Sequence, residues 1–295
     1  MNKNSPKIRN SVINPGILYV VATPLGNRDD ITLRALDSLR QVDLIAAEDT
    51  RKTGGFLTLH GIKNNLISYH EHNEAERTPA LIAKLQKGVS MALVSNAGTP
   101  TVSDPGYRLI EAALENHLSV LPIPGVCAAT AALSVAGLPT DSFIFAGFLA
   151  KKKAKRLRQL NELASEPRTL IFYESPRRIL RLLNETIDVM GDRRAVLARE
   201  MTKLHEEFIR GRLSEIQKGL AGRNNIKGEC TLLVAGNDRA QDQSWPMVRR
   251  QIEAAVLAGQ NSLSAISREI AATSGIAKNK IYGEALRISK ELDGG

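Results

Sequence analysis

The segment "ILYVVATPLGNRDDITLRAL", residues 17 to 36, predicts a strand, a turn and a helix of an α/β fold. Its first six residues are apolar and predict a buried strand, and from Ile31 onward the apolar residues have helical spacing. In α/β proteins a ligand often binds at such a strand-to-helix turn. This turn offers Pro24 and a single glycine, Gly26, whereas a dinucleotide site uses three glycines. Two aspartates follow where a phosphate would otherwise lie, so the turn predicts a site for another kind of ligand.

The rest of the chain alternates short apolar runs with helical patterns, which favours α/β layers with largely parallel strands. Further strands are predicted at Leu44–Ala47, Leu66–Tyr69, Met91–Ser95, Ser119–Pro122, Phe143–Phe148, Thr169–Tyr173, Ala195–Ala198 and Thr231–Ala235. After Gly236 no strand is predicted. Three helical patterns follow the polar segment that ends in Pro246, and they predict a small helical domain over residues 245–295. Its last two helices also fit a helix-turn-helix or a simple packing unit.

Composition narrows the function. The 295 residues carry 40 Lys and Arg against 31 Asp and Glu, a net charge of +9 that favours an anionic partner, nucleic acid first, or simply a basic soluble enzyme. No apolar run approaches the roughly 20 residues of a membrane span. Residues 1–14 are polar and basic and are predicted to form a flexible arm. Two cysteines build neither a disulfide framework nor a metal cage, so a reducing cytoplasm is expected.

Two glycine-bearing segments are the strongest local signals. The loop "SNAGTPTVSDPG", residues 95–106, is long for a strand-to-helix connection, and such length usually serves function. The segment "PIPGVCAATAALSVAG", residues 122–137, continues into a helix of small residues that allows close approach of another backbone or of a flat ligand. A rigid surface loop and tight helix packing are the alternative explanations.

The run "KKKAKRLR", residues 151–158, holds six basic residues in eight. Positive charge is unfavourable at a helix start, so phosphate contact explains the run better than helix stability does. We predict that nucleic-acid phosphates are bound by Lys151, Lys152, Lys153, Lys155, Arg156 and Arg158, with Arg177 and Arg178 in addition. A solvated basic face is the alternative.

Seven motifs occur in a fixed order: "GILYVVATPLGN", "AAEDTRKTGGFL", "SNAGTPTVSDPG", "PIPGVCAATAAL", "LIFYESPRR", "LAREMTK" and "KGECTLLVAG". Together they resemble the tetrapyrrole-methylase family of S-adenosylmethionine-dependent methyltransferases, and within it the bacterial enzymes that methylate a cytidine ribose 2′-hydroxyl in small-subunit (16S) ribosomal RNA. The resemblance covers roughly residues 15–290. Asn96 and Arg177 depart from it, since Asp and His are usual at these two positions.

The resemblance implies a fold, a cofactor and a partner. A cofactor cleft lies between an N-terminal lobe (15–125) and a C-terminal lobe (126–238), both α/β, and a homodimer is implied. S-adenosylmethionine carries a sulfonium and no phosphate, which accounts for the acidic first turn. The cofactor-binding residues that it implies are Pro24, Ala97, Gly98, Thr99, Val102, Cys127, Ala128, Glu174 and Met201, with the backbone at Cys230 and Thr231.

A general base would remove the proton of the ribose hydroxyl. Glu48 follows the second strand and is expected to face the cleft. The resemblance gives Glu48 as proton acceptor and His70 as proton donor. The alternative for Glu48 and Asp49 is a helix cap with an ion pair to Arg51. His70 and His72 on one strand lack further metal ligands at usable spacing, so no metal is predicted.

Two other functions stay open on the sequence alone. A C-methyltransferase of tetrapyrrole precursors would share the cofactor loops, although the helical C-terminal addition counts against it. A ribosome-assembly factor that binds RNA without catalysis would not need those loops.

Overall fold

The computed structural model describes residues 15–223, 225–259, 261–274, 276 and 278–293. The arm predicted over residues 1–14 lies outside them. Two five-stranded sheets succeed each other along the chain, and three helices follow the second sheet. The prediction of two α/β lobes followed by helices is confirmed. Within the described ranges, no helix combines the length and apolar character needed to cross a membrane.

The first sheet is entirely parallel, in the order β3-β2-β4-β1-β5. Its strands are β1 (Ile17–Val21), β2 (Leu44–Ala47), β3 (Leu66–Ser68), β4 (Met91–Val94) and β5 (Ser119–Ile123). Its helices are α1 (Leu33–Gln41), α2 (Thr50–Leu59), α3 (Glu74–Gln86) and α4 (Tyr107–Glu115). Alternate strand residues pack against α1 and α2 on one face and against α3 and α4 on the other, so both faces are buried. The carboxyl ends of β1, β2 and β4 therefore meet along one edge.

The second sheet has the order β6-β7-β10-β8-β9. Its strands are β6 (Phe143–Phe148), β7 (Thr169–Glu174), β8 (Arg194–Arg199), β9 (Glu207–Arg212) and β10 (Cys230–Val234), and its helices are α5 (Ala128–Ala136), α6 (Lys153–Glu162), α7 (Ile179–Met190) and α8 (Leu213–Ala221). Only β6 and β7 pair in parallel, and the other pairs are antiparallel. The expectation of largely parallel strands is thus correct for the first sheet and wrong for the second. The sequence analysis also missed β9.

Three helices complete the chain: α9 (Asp238–Ala258), α10 (Leu263–Ser274) and α11 (Lys278–Asp293). Their apolar faces meet in a separate core that includes Val248, Ile252 and Ile281. Ser262 caps α10, since its hydroxyl accepts a bond from the Ala265 N–H. Helix α9 begins well before Pro246, which lies inside it and was predicted to start it.

Arg156 does not lie on the surface with the other basic residues of its segment. Its side chain is 1% exposed, and its guanidinium donates to both carboxylate oxygens of Glu185, with an Nη2–Oε1 distance of 2.7 Å. It also donates to the carbonyls of Ala150 and Lys151. The prediction that Arg156 contacts RNA is therefore wrong, because its guanidinium is buried and bonded to Glu185 of α7 and to the backbone just before α6.

The buried pair predicts a large stability effect. Replacing Glu185 with Ala leaves the Arg156 charge buried without its partner, and breaking such a pair costs about 3–5 kcal/mol of unfolding free energy. The exposed neighbour Lys155 is the control, since its replacement by Ala is expected to change stability by less than about 0.5 kcal/mol. Urea unfolding of the two variants makes the comparison. Equal midpoints for both would contradict a structural role for the pair.

Candidate active site

The loop of residues 95–106 is attached at three points. Thr23 and Gly98 exchange two backbone hydrogen bonds of 2.8 Å, which tie the loop to the turn after β1. The Thr99 hydroxyl donates to the Val126 carbonyl at 3.0 Å, next to the start of α5. The Asn96 N–H donates to Glu48 Oε2 at 2.9 Å. The loop thus links the ends of β1, β2 and β4 to the C-terminal lobe.

A cavity of about 350 Å³ opens beside this loop, between the two sheets. We call it the main cavity. Most of the residues predicted to serve catalysis or cofactor binding line this cavity. They are Glu48, Ala97, Gly98, Thr99, Val102, Cys127, Ala128 and Glu174. Cys230 and Thr231 also line it. Residues from five distant parts of the sequence therefore surround one space.

Three predicted site residues lie elsewhere. Met201 is buried in the cluster beneath α5, behind the cavity wall. Pro24 lines a smaller, adjoining cavity of about 200 Å³, which we call the side pocket. His70 lies in the turn after β3 and lines neither space, and its ring Nε2 is 3.2 Å from Asn73 Nδ2. His70 and His72 were expected on one strand, but that strand ends at Ser68.

The adjacent acids Glu48 and Asp49 have different surroundings. Asp49 is the N-cap of α2, where its carboxylate accepts the Arg51 N–H at 3.0 Å and pairs with the Arg51 guanidinium. This hydrogen bonding lowers the pKa of Asp49 below its usual value. Glu48 instead lines the main cavity. The capping interpretation therefore holds for Asp49, and Glu48 is left facing the cavity.

Asp104 is a site residue that the sequence analysis missed, although it belongs to the loop quoted above. It lines the main cavity with Glu48 and Glu229. Burial, and then the neighbouring Glu48 carboxylate, raises the pKa of Asp104 to about 7. Tyr173 was also missed, and its hydroxyl accepts the Ala129 N–H at 2.9 Å at the start of α5. Burial raises the pKa of Tyr173 further above its usual value, so it stays a neutral hydroxyl.

Glu174 is buried, and its carboxylate is held from both sides. Arg178 donates to Oε2 at 2.7 Å and to the Leu149 carbonyl at 3.0 Å, and the Ser175 N–H donates to Oε1 at 2.7 Å. Arg178 therefore positions Glu174 in the cavity wall, and since its side chain is partly exposed, its contact with RNA stays a prediction. Arg177, one residue earlier, is exposed.

The remaining basic residues of the 151–158 segment do face solvent. Lys151, Lys152, Lys153, Lys155 and Arg158 are all exposed at the start and along the outer face of α6. Arg158 forms an i,i+4 pair with Glu162. Four lysines at a helix N-terminus disfavour one another and the helix dipole, so an anion there would stabilise them. We call these four residues the lysine cluster.

The main cavity suits a cationic ligand. The carboxylates of Glu48, Asp104, Glu174 and Glu229 line it, and Lys52 is the cation in its wall. Gly98 has a φ of 80°, a left-handed conformation that glycine adopts without strain, and it presents backbone to the cavity. Bare backbone and carboxylates together fit the amino acid and sulfonium parts of S-adenosylmethionine, and no glycine nest for phosphate is present among these lining residues.

Comparison with known sequences gives one consistent result. Residues 17–217 match the family model described as Tetrapyrrole (Corrin/Porphyrin) Methylases. A protein of Escherichia coli O157:H7 named ribosomal RNA small subunit methyltransferase I is 45% identical, over 92% of this chain and 95% of its own. A protein of the same name from Micromonospora olivasterospora is 43% identical, over 95% of this chain and 89% of its own.

Solved structures share the fold over a smaller part of the chain. The uroporphyrin-III C-methyltransferase of Thermus thermophilus, in complex with S-adenosylhomocysteine, has a TM-score of 0.55 and 19% identity. The match covers 76% of this chain and 99% of that one. At this identity the likeness concerns the fold alone.

The raised pKa of Asp104 predicts a pH-dependent stability. Its folded-state pKa of about 7 exceeds the ordinary 3.8, so from about pH 4 to about pH 7 the folded protein holds a proton that the unfolded chain has lost. Stability therefore falls as pH rises through this window. Asp104→Asn removes the titration and is expected to gain stability over the wild type at pH 8 more than at pH 5. Urea midpoints at both values, with surface Asp37→Asn as control, test this. A constant difference between wild type and Asp104→Asn would contradict it.

Proposed function

This chain belongs to the tetrapyrrole methylase family of S-adenosylmethionine-dependent methyltransferases, and we propose that it methylates small-subunit ribosomal RNA at a cytidine ribose 2′-hydroxyl. The observation that carries the proposal is the similarity to ribosomal RNA methyltransferases along nearly the whole chain. That similarity extends into the C-terminal helices, whereas the family model ends at residue 217. The homodimer and the cytidine target that the resemblance implies stay predictions.

We propose that the main cavity holds the cofactor. When bound, S-adenosylmethionine supplies an electrophilic methyl carbon on a sulfonium and leaves as a neutral thioether. The loop backbone from Ala97 to Val102 lies against this space, and the carboxylates in the wall offset the sulfonium charge. The small residues Cys127 and Ala128 leave room for a flat ring at the start of α5.

The reaction requires a proton acceptor close to the ribose hydroxyl. The O–CH₃ bond forms as the CH₃–S bond breaks, and the hydroxyl proton must leave with a base. Glu48 suits this role because one carboxylate oxygen is fixed by the Asn96 N–H and the other accepts no hydrogen bond from the described residues. Holding the ribose oxygen in line with the methyl carbon and the sulfur would supply further acceleration through orientation. His70 lines neither cavity. Methylation of a hydroxyl requires a proton acceptor and no proton donor, so the reaction does not need His70.

We propose that the lysine cluster, together with Arg158 and Arg177, contacts the RNA backbone. The exposure of these residues supports the proposal. Phosphate contacts provide most of the affinity and make it depend on salt. Few aromatic residues are present, 4% of the chain, so charge and shape contribute more than base stacking along the RNA surface.

The first test of this function is labelled methyl transfer with the Glu48→Gln variant. Wild type is expected to label small ribosomal subunits that lack the modification, or their naked RNA, and not a tetrapyrrole precursor. Glu48→Gln keeps the shape and removes the base, so single-turnover transfer is expected to slow by about 100-fold. Cofactor affinity, measured by calorimetry, is expected to change little.

The matched control for Glu48→Gln is Glu76→Gln on the exposed side of α3, which should transfer at the wild-type rate. A Glu48→Gln rate within a few-fold of wild type would show that positioning alone carries the reaction. Labelling of the tetrapyrrole precursor and not of the RNA would replace the proposed function with the C-methyltransferase.

The second test concerns the lysine cluster. Replacing Lys151, Lys152 and Lys155 together with Ala removes three phosphate contacts, each worth about 0.7 in the log–log slope of affinity against salt for single-stranded RNA. The slope is therefore expected to flatten by about two units, with unchanged cofactor affinity. Ala at Lys63, Lys84 and Lys87, three exposed lysines of the N-terminal lobe, makes the same charge change elsewhere. Equal slopes for both triple variants would mean that the cluster is only a solvated face.

A further inference from the structure

The side pocket adjoins the main cavity and has no role in the mechanism so far. Leu25, Lys52 and Asn96 line both spaces, so the two are contiguous. Glu48 lies at their junction, since its carboxylate is bonded to the Asn96 N–H. A substrate group in the side pocket would therefore place its neighbouring atoms beside the proposed proton acceptor.

The size and walls of the side pocket fit one ring. Its volume of about 200 Å³ corresponds to roughly seven waters, less than the roughly 300 Å³ at which sites for drug-sized ligands begin. Leu39 and Val94 form an apolar floor, Phe56 supplies a flat aromatic ring in the wall, and Pro24 adds a rigid apolar ring. A flat heterocycle that stacks on an aromatic ring fits such a space.

The polar groups of the pocket indicate what that ring must carry. The Asn96 side-chain oxygen is buried and has no hydrogen-bond partner among the described residues. A buried acceptor left unpaired costs about 1–3 kcal/mol, so a ligand that brings an N–H group there gains that amount. Lys52 and the exposed Arg28 bring two positive charges to the rim, where a nucleotide phosphate would lie.

We propose that the side pocket binds the pyrimidine base of the nucleotide whose ribose is methylated. Phe56 stacks on the base, and Asn96 accepts a hydrogen bond from an N–H on its Watson–Crick edge. Enzymes that act on one nucleotide commonly withdraw it into such a pocket and read it by stacking and edge contacts. The inference rests on the proposed function, because it presumes an RNA substrate. The base held in the side pocket would anchor the target nucleoside so that its 2′-oxygen faces the main cavity.

The experiment compares variants in methyl transfer to small ribosomal subunits that lack the modification. Phe56→Leu keeps an apolar side chain but removes stacking, which is worth about 1–3 kcal/mol per base, so kcat/KM for the subunits is expected to fall about tenfold. Phe56→Trp retains an aromatic ring and is expected to stay within about threefold of wild type. The matched control is Phe143→Leu, at the start of β6 and outside both spaces.

Asn96 is tested in the same assay. Asn96→Leu removes the acceptor and is expected to lower kcat/KM about tenfold. Asn96→Asp keeps an acceptor oxygen and is expected to stay within about threefold. Cofactor affinity, measured by calorimetry, is expected to stay within about twofold of wild type for the Phe56 variants and for Asn96→Leu, none of which adds a charge, and this also shows that each of them is folded.

The outcomes separate this inference from the proposed function. Wild type that labels no ribosomal RNA would overturn both. Wild type that labels RNA while Phe56→Leu and Asn96→Leu match it would overturn the base pocket alone. Loss of cofactor affinity in both variants, with unchanged KM for the subunits, would assign the side pocket to the cofactor and overturn the inference as well.

Discussion

The two backbone hydrogen bonds between Thr23 and Gly98 hold the site together. They join the turn after β1 to the loop after β4, and the Thr23 hydroxyl adds a bond to the Ser95 carbonyl. Because Gly98 has a left-handed φ, the loop reverses there and its backbone faces the main cavity. This reversal brings Asn96 to Glu48 on one side and Thr99 to Val126 on the other. The reversal thus places residues of both lobes around one cavity.

Negative and positive charges lie on different parts of the molecule. The chain carries a net charge of +9, yet carboxylates predominate in the main cavity. Two of the four carboxylates have a basic partner. Arg178 holds Glu174, and Lys203 bonds to Glu229 at 3.0 Å, which leaves Glu48 and Asp104 to interact with each other and with a ligand. The exposed lysine cluster lies instead at the start and along the outer face of α6. Anionic RNA and a cationic cofactor would thus be attracted to different surfaces.

Much of the fold and part of the site could be predicted from the sequence, for local reasons. The strands β1, β2, β4 and β7 are continuous apolar runs because both of their faces are buried, and the loop of residues 95–106 is visible from its glycines and prolines. Strand β9 was missed because "EFIRGR" has only two apolar residues, Phe208 and Ile209, among charged ones, and the preceding turn has no glycine. That turn uses Glu200 and Thr202 in left-handed conformations, which the sequence does not show. Arg156 was misjudged because its partner, Glu185, lies 29 residues away. A basic run does not reveal which of its members is buried.

Asp104 shows how the site depends on burial that no motif records. An aspartate followed by proline in a polar loop is typical of a turn, and the ordinary pKa of aspartate predicts an ionised side chain. The structure places it beside Glu48 in the main cavity, where desolvation and like charge favour the proton. A cation bound between the two carboxylates reverses this preference, because it favours the ionised form of both. Under the proposed function the cavity would therefore bind the positively charged cofactor better than the neutral thioether that remains after transfer, and the difference would grow as Asp104 loses its proton. The same pair of acids would then serve both cofactor binding and release of the spent cofactor.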